Sequence, residues 1–135
     1  MQLDPASFVA DPELIRALSE RASPVPCETD RLLFNQDDPA SGVYILHEGS
    51  GLLTMVSQSG ETLFNVKALP GSLLGLPGLI SNQPYSLTAV AQAGAQVSFV
   101  SRAEFSAMIS SDPQLFFKIL QVLAAEVRSA RLAMN

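Results

Sequence analysis

The chain has 135 residues, of which 47% are hydrophobic and 16% charged, and its formal net charge is −5. This composition is typical of one compact domain and excludes an intrinsically disordered chain. The negative charge and the scattering of the eight basic residues disfavour a nucleic-acid-binding surface, so we expect no direct contact with nucleic acid. No apolar run could span a bilayer and the N-terminus has no secretory pattern, which favours a cytoplasmic protein without membrane contact.

Motifs for catalysis and metal binding are missing from the sequence. The single cysteine, Cys27, and the single histidine, His47, exclude an internal disulfide and a structural zinc site. No nucleophile elbow, P-loop or zinc-protease motif occurs. We therefore predict a protein that is not an enzyme, with no catalytic residue, no metal site and no cofactor. An enzyme on a cupin-like barrel is disfavoured because its metal site would need two or three histidines.

The first 22 residues are predicted to form a helical segment. Asp11-Pro12-Glu13 combines an N-cap carboxylate, a proline at the first helical position and an acid in the first turn. Leu14, Ile15 and Leu18 then supply one apolar face. We expect this helix to pack across the mouth of the structure that follows.

Between residues 25 and 100 the pattern changes to short β-strands separated by turns. Strands are predicted at residues 25–28, 31–34, 43–47, 52–57, 62–69, 72–74, 85–91 and 95–101. Phe64, Val66 and Ala68 alternate with more polar neighbours, so one face of their strand should point inward. About eight short strands at this spacing predict a mostly-β fold, a double-stranded β-helix or jelly-roll barrel, flanked by N- and C-terminal helices.

Two helices are predicted over residues 101–135. Ser101 and Glu104 form a capping box for the first, and Asp112-Pro113 opens the second. Apolar residues follow helical spacing along the second: Leu115, Phe116, Ile119, Leu120, Leu123 and Val127. Part of this stripe should cover its own barrel, and part should face a second copy of the chain in a homodimer. We assign the following residues to the dimer helix: Leu123, Val127, Ala130 and Met134.

The stretch Pro70 to Ala91, PGSLLGLPGLISNQPYSLTAVA, predicts a turn, a strand, a turn of helix, a polar loop and a returning strand. It resembles the phosphate-binding cassette of the cyclic nucleotide-binding domain family, which includes the sensor barrels of Crp/Fnr regulators. That cassette reads approximately G-x-[hydrophobic]-[hydrophobic]-G-E-x-[small]-L, a variable loop and R-[ST]-A. The matching residues are Gly71, Leu73, Leu74, Gly75, Gly78, Leu79, Thr88 and Ala89.

An earlier stretch resembles the first half of the same family's barrel. Residues 33–49 follow the family's pattern of a short strand, a turn and a second strand that ends before a glycine. Gly49 matches that last glycine, whereas Asp37 stands where the family has its first glycine. With the cassette, the resemblance covers roughly residues 12–130, and it implies a single cyclic nucleotide-binding-like domain over residues 1–135. Within it we delimit an N-terminal segment (1–22), a barrel (25–100) and C-terminal helices (101–135).

The two family residues that hold the nucleotide are replaced. The resemblance places Leu76 where the family glutamate takes the ribose hydroxyl, and Leu87 where the arginine pairs with the phosphate, or Ser86 if the loop is shifted by one. No Asp, Glu, Lys, Arg or His occurs between Ala68 and Ser101. Burying a phosphodiester anion there without a cation would cost several kcal/mol, on the order of the usual desolvation penalty.

Some of the cassette could still contact a ligand. Gly75, Gly78 and Leu79 would present backbone amides at the start of a helical turn, and Ser86 and Thr88 would offer hydroxyl groups. The candidate ligand-binding set is Gly75, Leu76, Pro77, Gly78, Leu79, Ser86, Leu87, Thr88 and Ala89. Three outcomes stay open: the pocket is filled by its own side chains, it binds a more apolar small molecule, or it binds a cyclic nucleotide weakly through backbone amides.

The resemblance implies a non-enzymatic sensor or regulatory domain of the Crp/Fnr type, active in signal transduction or transcription regulation, with lost or altered cyclic nucleotide binding. In Crp/Fnr regulators a winged helix-turn-helix follows this last helix, whereas here the sequence ends at Asn135. We expect no DNA-binding domain in this chain, which is either a free-standing sensor or the sensor half of a longer regulator. The alternative function is a ligand-free dimerisation or scaffolding module.

Overall fold

The computed structural model describes residues 2–134, and within them it contains eight strands, four α-helices and one 3₁₀ turn. The strands are β1 (Ser23–Val25), β2 (Arg31–Phe34), β3 (Gly42–Glu48), β4 (Gly51–Val56), β5 (Thr62–Ala68), β6 (Ser72–Leu74), β7 (Thr88–Ala91) and β8 (Gln96–Ser101). The helices are α1 (Pro12–Ser19), α2 (Leu76–Ser81), α3 (Arg102–Ser111) and α4 (Leu115–Ala133), and the 3₁₀ turn spans Pro5–Phe8.

The strands form two four-stranded antiparallel sheets. The first sheet has the order β1-β8-β3-β6, and the second has the order β2-β7-β4-β5. Apart from the β4–β5 hairpin, consecutive strands lie in different sheets, which confirms the predicted jelly-roll barrel with helices at both ends. "Mostly β" is only approximate, because slightly more residues are helical than extended.

Two apolar cores lie on opposite faces of the first sheet. One core fills the space between the sheets, and the other lies under the helices. Strand β3 contributes to both: Val43 and Ile45 point to the helices, whereas Leu46 points between the sheets. A strand with both faces buried does not alternate apolar and polar residues, which explains the unbroken apolar run in this part of the sequence.

The predicted helix starts are partly confirmed. Helix α1 begins as expected, with the Asp11 carboxylate accepting a hydrogen bond from the Glu13 amide at 2.8 Å. The segment before it is not an α-helix and contains only the 3₁₀ turn. Helix α4 begins at Leu115, two residues after the predicted opening. Met1 and Asn135, which belong to the predicted terminal segments, lie outside the described residues.

The capping box at α3 is only half formed. The Ser101 hydroxyl accepts a hydrogen bond from the Glu104 amide at 3.2 Å, as predicted. The Glu104 carboxylate, however, pairs with the Arg21 guanidinium at 3.1 Å. The side chain that should have closed the box therefore ties α3 to the residues that follow α1.

Two strand predictions were wrong at their ends. The first strand occupies residues 23–25 rather than 25–28, where it pairs with β8. The returning strand of the cassette begins at Thr88 rather than at Tyr85. Tyr85 instead exchanges backbone hydrogen bonds with the β2–β3 loop, donating to Asp38 O at 2.9 Å and accepting from Asp37 N at 2.8 Å. Asp37 has φ +74°, so it adopts the left-handed conformation that the family's glycine would supply.

Candidate ligand site

The cassette folds as a strand, a short helix and a returning strand. Gly75 precedes α2 with φ +93°, and an added Cβ there would lie 2.6 Å from the Tyr85 ring, so only glycine fits. The helix ends at Asn82, which is left-handed (φ +55°). Arg102 of α3 donates hydrogen bonds to Leu79 O at 3.2 Å and to Ala40 O at 2.7 Å. A cation thus stabilises the carbonyl end of α2 from outside the pocket.

Tyr85 anchors the cassette to the barrel. Its ring stacks on Phe34 with the centroids 3.9 Å apart. Its buried hydroxyl donates a hydrogen bond to Gly42 O at 2.7 Å and accepts from the amides of Ser41 and Gly42 at 3.2 Å each. One side chain therefore links the cassette to β2 and to the start of β3.

A small pocket lies between the cassette and the two sheets. The cassette contributes Gly75, Pro77, Gly78, Ser86 and Leu87, all of them in the predicted ligand-binding set. The remaining lining comes from the 3₁₀ turn, the strands, the cassette loop and α4, through Phe8, Phe34, Leu53, Leu74, Tyr85 and Glu126. The free space measures only about 10 Å³, which is room for about one water molecule. In this conformation the protein's own side chains fill the pocket.

The other four predicted site residues are not in the pocket lining. Leu76 and Leu79 pack into the core under the helices, and Leu76 is fully buried there. Thr88 lies on β7, where its hydroxyl accepts a hydrogen bond from the Gln36 amide at 2.9 Å. Ala89 is fully buried between the sheets. The predicted ribose corner of Leu76 and Leu87 is therefore divided between two cores, and only Leu87 borders the pocket.

Glu126 is a pocket residue that the sequence analysis did not predict. It lines the pocket from α4, and its Oε2 atom is buried with no hydrogen-bond partner within residues 2–134. Burial in these surroundings raises the pKa of the Glu126 carboxyl from its ordinary value of 4.5 to about 8. Burial is the one cause of this shift, and no cation within residues 2–134 opposes it. The only acid of the lining is thus held largely in its neutral form at pH 7.

A sequence signal for Glu126 exists in the spacing of α4. The buried residues of this helix recur at intervals of four and three, and Glu126 occupies one position of the same series: Leu115, Ile119, Val122, Glu126 and Ser129. A charged residue on the buried side of an amphipathic helix is unusual and is often functional. Phe8 gave no comparable signal, because the turn that carries it has no regular period.

The residues assigned to the dimer helix lie on the adjacent side of α4. Val127 and Met134 are exposed, and Leu123 and Ala130 are half-buried. Together with Phe116 and Leu120, which are also exposed, they form a continuous apolar stripe: Phe116, Leu120, Leu123, Val127, Ala130 and Met134. The intervals of four and three are those of a coiled-coil seam. Leaving this much apolar surface uncovered on one helix is typical of an interaction face.

The surroundings of His47 and Cys27 give neither side chain a reactive setting. The His47 Nε2 atom lies 2.7 Å from the Ser98 hydroxyl in a half-buried position. Cys27 is buried, and burial raises the pKa of its thiol. The nearby Arg31 opposes this effect only partly. A raised thiol pKa disfavours the reactive thiolate.

The chain forms a jelly-roll barrel of two facing antiparallel sheets, with a short helix between β6 and β7 and a long C-terminal helix that reaches the pocket. The family described as "Cyclic nucleotide-binding domain" matches residues 24–112. The chain therefore belongs to the cyclic nucleotide-binding domain family. No curated protein matches the chain by sequence.

Several solved structures share the fold. The Thermus thermophilus catabolite activator protein is 25% identical, with a TM-score of 0.73 over 97% of this chain and 62% of its own. A cyclic nucleotide-binding-like protein from Brucella abortus is 29% identical, with a TM-score of 0.57 over 74% of this chain and 85% of its own. The N-terminal domain of a Streptomyces coelicolor transcriptional regulator (22% identity, TM-score 0.67) covers 98% of this chain and 94% of its own. The predicted likeness to Crp/Fnr sensor barrels is confirmed. This chain spans less than two thirds of the length of the Thermus protein.

Within residues 2–134, none of the helices has the length and apolar composition that a membrane span requires.

Replacing Glu126 by glutamine should change how stability depends on pH. The folded carboxyl, with a pKa of about 8, keeps its proton in a range where the unfolded chain has lost it. The free energy of unfolding of the native chain should therefore fall as pH rises from about 5 to about 8, by at most about 1.4 kcal/mol per pH unit. The E126Q variant should lack this decline. Urea unfolding at several pH values measures it.

The matched control is Glu61→Gln, which removes an exposed carboxylate from the β4–β5 hairpin. This variant should follow the native pH profile. Equal pH profiles for the native chain and E126Q would show that Glu126 is not held in its neutral form.

Proposed function

We propose that this domain is a non-enzymatic sensor or regulatory module of the Crp/Fnr type whose pocket has lost the family's usual cyclic nucleotide chemistry. The observation that carries the proposal is the charge of the pocket. Among its lining residues none is Lys, Arg or His, and the only ionisable acid is Glu126. A cyclic nucleotide would bring a phosphate anion to a site with no cation. Loss of an arginine pair alone removes about 1.5–3 kcal/mol, or at least about tenfold in affinity.

The closure of the pocket supports a second candidate function. Because the free space is only about 10 Å³, the barrel in this conformation is filled like an ordinary core. A ligand-free dimerisation or scaffolding module would need no more than this. Weak cyclic nucleotide binding through backbone amides, in a sensor half of a longer regulator, is the third reading. In all three candidate functions, α4 is the element that would contact a second copy of the chain.

We further propose that α4 forms a homodimer through the apolar stripe defined above. Two such stripes can pair as a short coiled coil, with Leu123, Val127, Ala130 and Met134 at its C-terminal half. Arg128 and Arg131 border the exposed groove formed with Leu120 and Val127, so the rim is polar and the centre apolar. The same helix then carries the pocket acid on one side and the dimer seam on the other.

Calorimetric titration with cyclic AMP tests the proposed loss of nucleotide chemistry. We expect no saturable binding by the native chain. The Leu87→Arg, Glu126→Gln double variant should gain saturable binding, because it restores a cation at the phosphate position and removes the acid that would pair with it. The control without a new charge is the Leu87→Met, Glu126→Gln double variant, which should show no saturable binding. Micromolar binding by the native chain would contradict the proposal.

Substitution of Leu120 by glutamate tests the dimer seam. A charge on each copy would be buried at the centre of the interface, so the dimer dissociation constant should rise by about a hundredfold or more. Sedimentation equilibrium measures the constant. Leu52→Glu on β4 is the matched control, because Leu52 and Leu120 are both 43% exposed. A native chain that is monomeric at high concentration, or equal effects of the two variants, would contradict this interface.

A further inference from the structure

We propose that the cassette pocket binds a small apolar molecule that carries one cationic amine, with Glu126 as its counter-charge and Phe8 as the side chain that moves aside. This inference rests on the proposed function, in that the barrel is taken to be a sensor without nucleotide chemistry. It adds the chemical class of the ligand. The proposal depends on three properties of the pocket: an unpaired acid, apolar walls and a displaceable plug.

The unpaired acid defines the recognition group. The buried Oε2 atom of Glu126 has no hydrogen-bond partner within residues 2–134, so a ligand with N–H donors would satisfy it. The other titratable lining residue is Tyr85, and its hydroxyl is already engaged with the backbone of residues 41–42. On α4 itself, Arg128 and Arg131 line grooves on other sides of the helix, and Lys118 pairs with Asp11 at 3.0 Å and with Glu13 at 3.6 Å. None of the ion pairs within residues 2–134 involves Glu126, so no cation there competes with a ligand for this carboxyl.

The apolar walls define the body of the ligand. Phe34, Leu53, Leu74 and Leu87 surround the space next to Glu126. A phosphate or a carboxylate would be desolvated there beside an acid, which disfavours anions of every kind. A neutral apolar molecule would fill the space and leave the acid unsatisfied. An apolar amine satisfies both the walls and the carboxyl.

Movement of Phe8 would make room for a ligand in the pocket. It is buried in the pocket but belongs to the 3₁₀ turn rather than to a sheet. The turn packs against α4, β5 and β6. The backbone links of this segment to the rest of the chain lie on either side of Phe8: Ala10 N donates to Gly71 O at 3.0 Å, Val9 bridges to Ser72, and Asp4 N donates to the Ser129 hydroxyl of α4 at 2.8 Å. Movement of this segment would vacate a ring-sized space beside Glu126, and apolar cavities of about 150 Å³ are known to bind benzene.

Binding should release a proton. In the closed pocket the Glu126 carboxyl is largely neutral at pH 7, since its pKa is about 8. An ammonium group that enters binds the carboxylate, so the carboxyl proton leaves to solvent. Affinity for an amine should therefore rise by up to about tenfold per pH unit below pH 8 and level off above it.

The test is a pair of probes of matched shape, benzylamine and benzyl alcohol, titrated into the native chain, E126Q and Phe8→Ala and followed by NMR. We expect benzylamine to bind the native chain more tightly at pH 8 than at pH 6. At pH 8 it should bind at least about tenfold more tightly than benzyl alcohol. E126Q should remove this preference, and Phe8→Ala should increase the affinity for benzylamine. Glu61→Gln is the control for loss of an exposed acid and should behave as the native chain.

The proposal is overturned if benzylamine fails to saturate both the native chain and Phe8→Ala, if the two probes bind equally, or if E126Q keeps the preference for the amine. Its failure is distinguishable from failure of the proposed function. A parallel titration with cyclic AMP would give micromolar binding only if the pocket has kept nucleotide chemistry, whatever the amine does.

Discussion

The position of the cassette depends on one buried side chain, Tyr85. Its ring stacks on Phe34 of one sheet, its hydroxyl is shared by the backbone at the start of β3 in the other, and its own backbone is paired with the β2–β3 loop. Gly75 must be a glycine because the Tyr85 ring lies against it. These contacts place α2 beside the pocket. The scaffold of a nucleotide site can therefore persist although the charges that would hold a nucleotide are absent from its lining.

The polarity of the pocket is reversed relative to what the family motif implies. A cassette of the usual kind would bring its own arginine, whereas here the only carboxyl group of the lining is that of Glu126 on α4. Glu126 and Val127 are neighbours on that helix, and one belongs to the buried series and the other to the exposed stripe. Under the proposed function, any ligand that changes the position or protonation of Glu126 acts on the same turn of helix that forms the dimer seam. Such coupling is a shift between two states that differ in ligand affinity.

Much of the fold was predictable from local patterns, but the site was predictable only in part. Turn residues and alternation located eight strands, and the proline opening located α1, because these signals act over a few residues. Tyr85 was misassigned to a strand because its hydrogen bonds go to a loop almost 50 residues earlier in the chain, which no local pattern encodes. Leu76 was placed in the pocket by motif alignment, yet it points into the other core. Glu126 and Phe8 reach the pocket from opposite ends of the chain, so only the tertiary structure brings them together.

The central claim is that this pocket has no cation in its lining and one acid, Glu126, whose Oε2 atom is buried without a hydrogen-bond partner within residues 2–134. The most direct measurement is an NMR pH titration of the Glu126 side-chain carboxyl carbon in ¹³C-labelled protein, with the signal assigned by comparison with E126Q. We predict a midpoint near the value of about 8 that burial produces. A midpoint near the ordinary value of 4.5 would show that the carboxylate is solvated or paired, and would contradict the assignment of this pocket as closed, apolar and acidic.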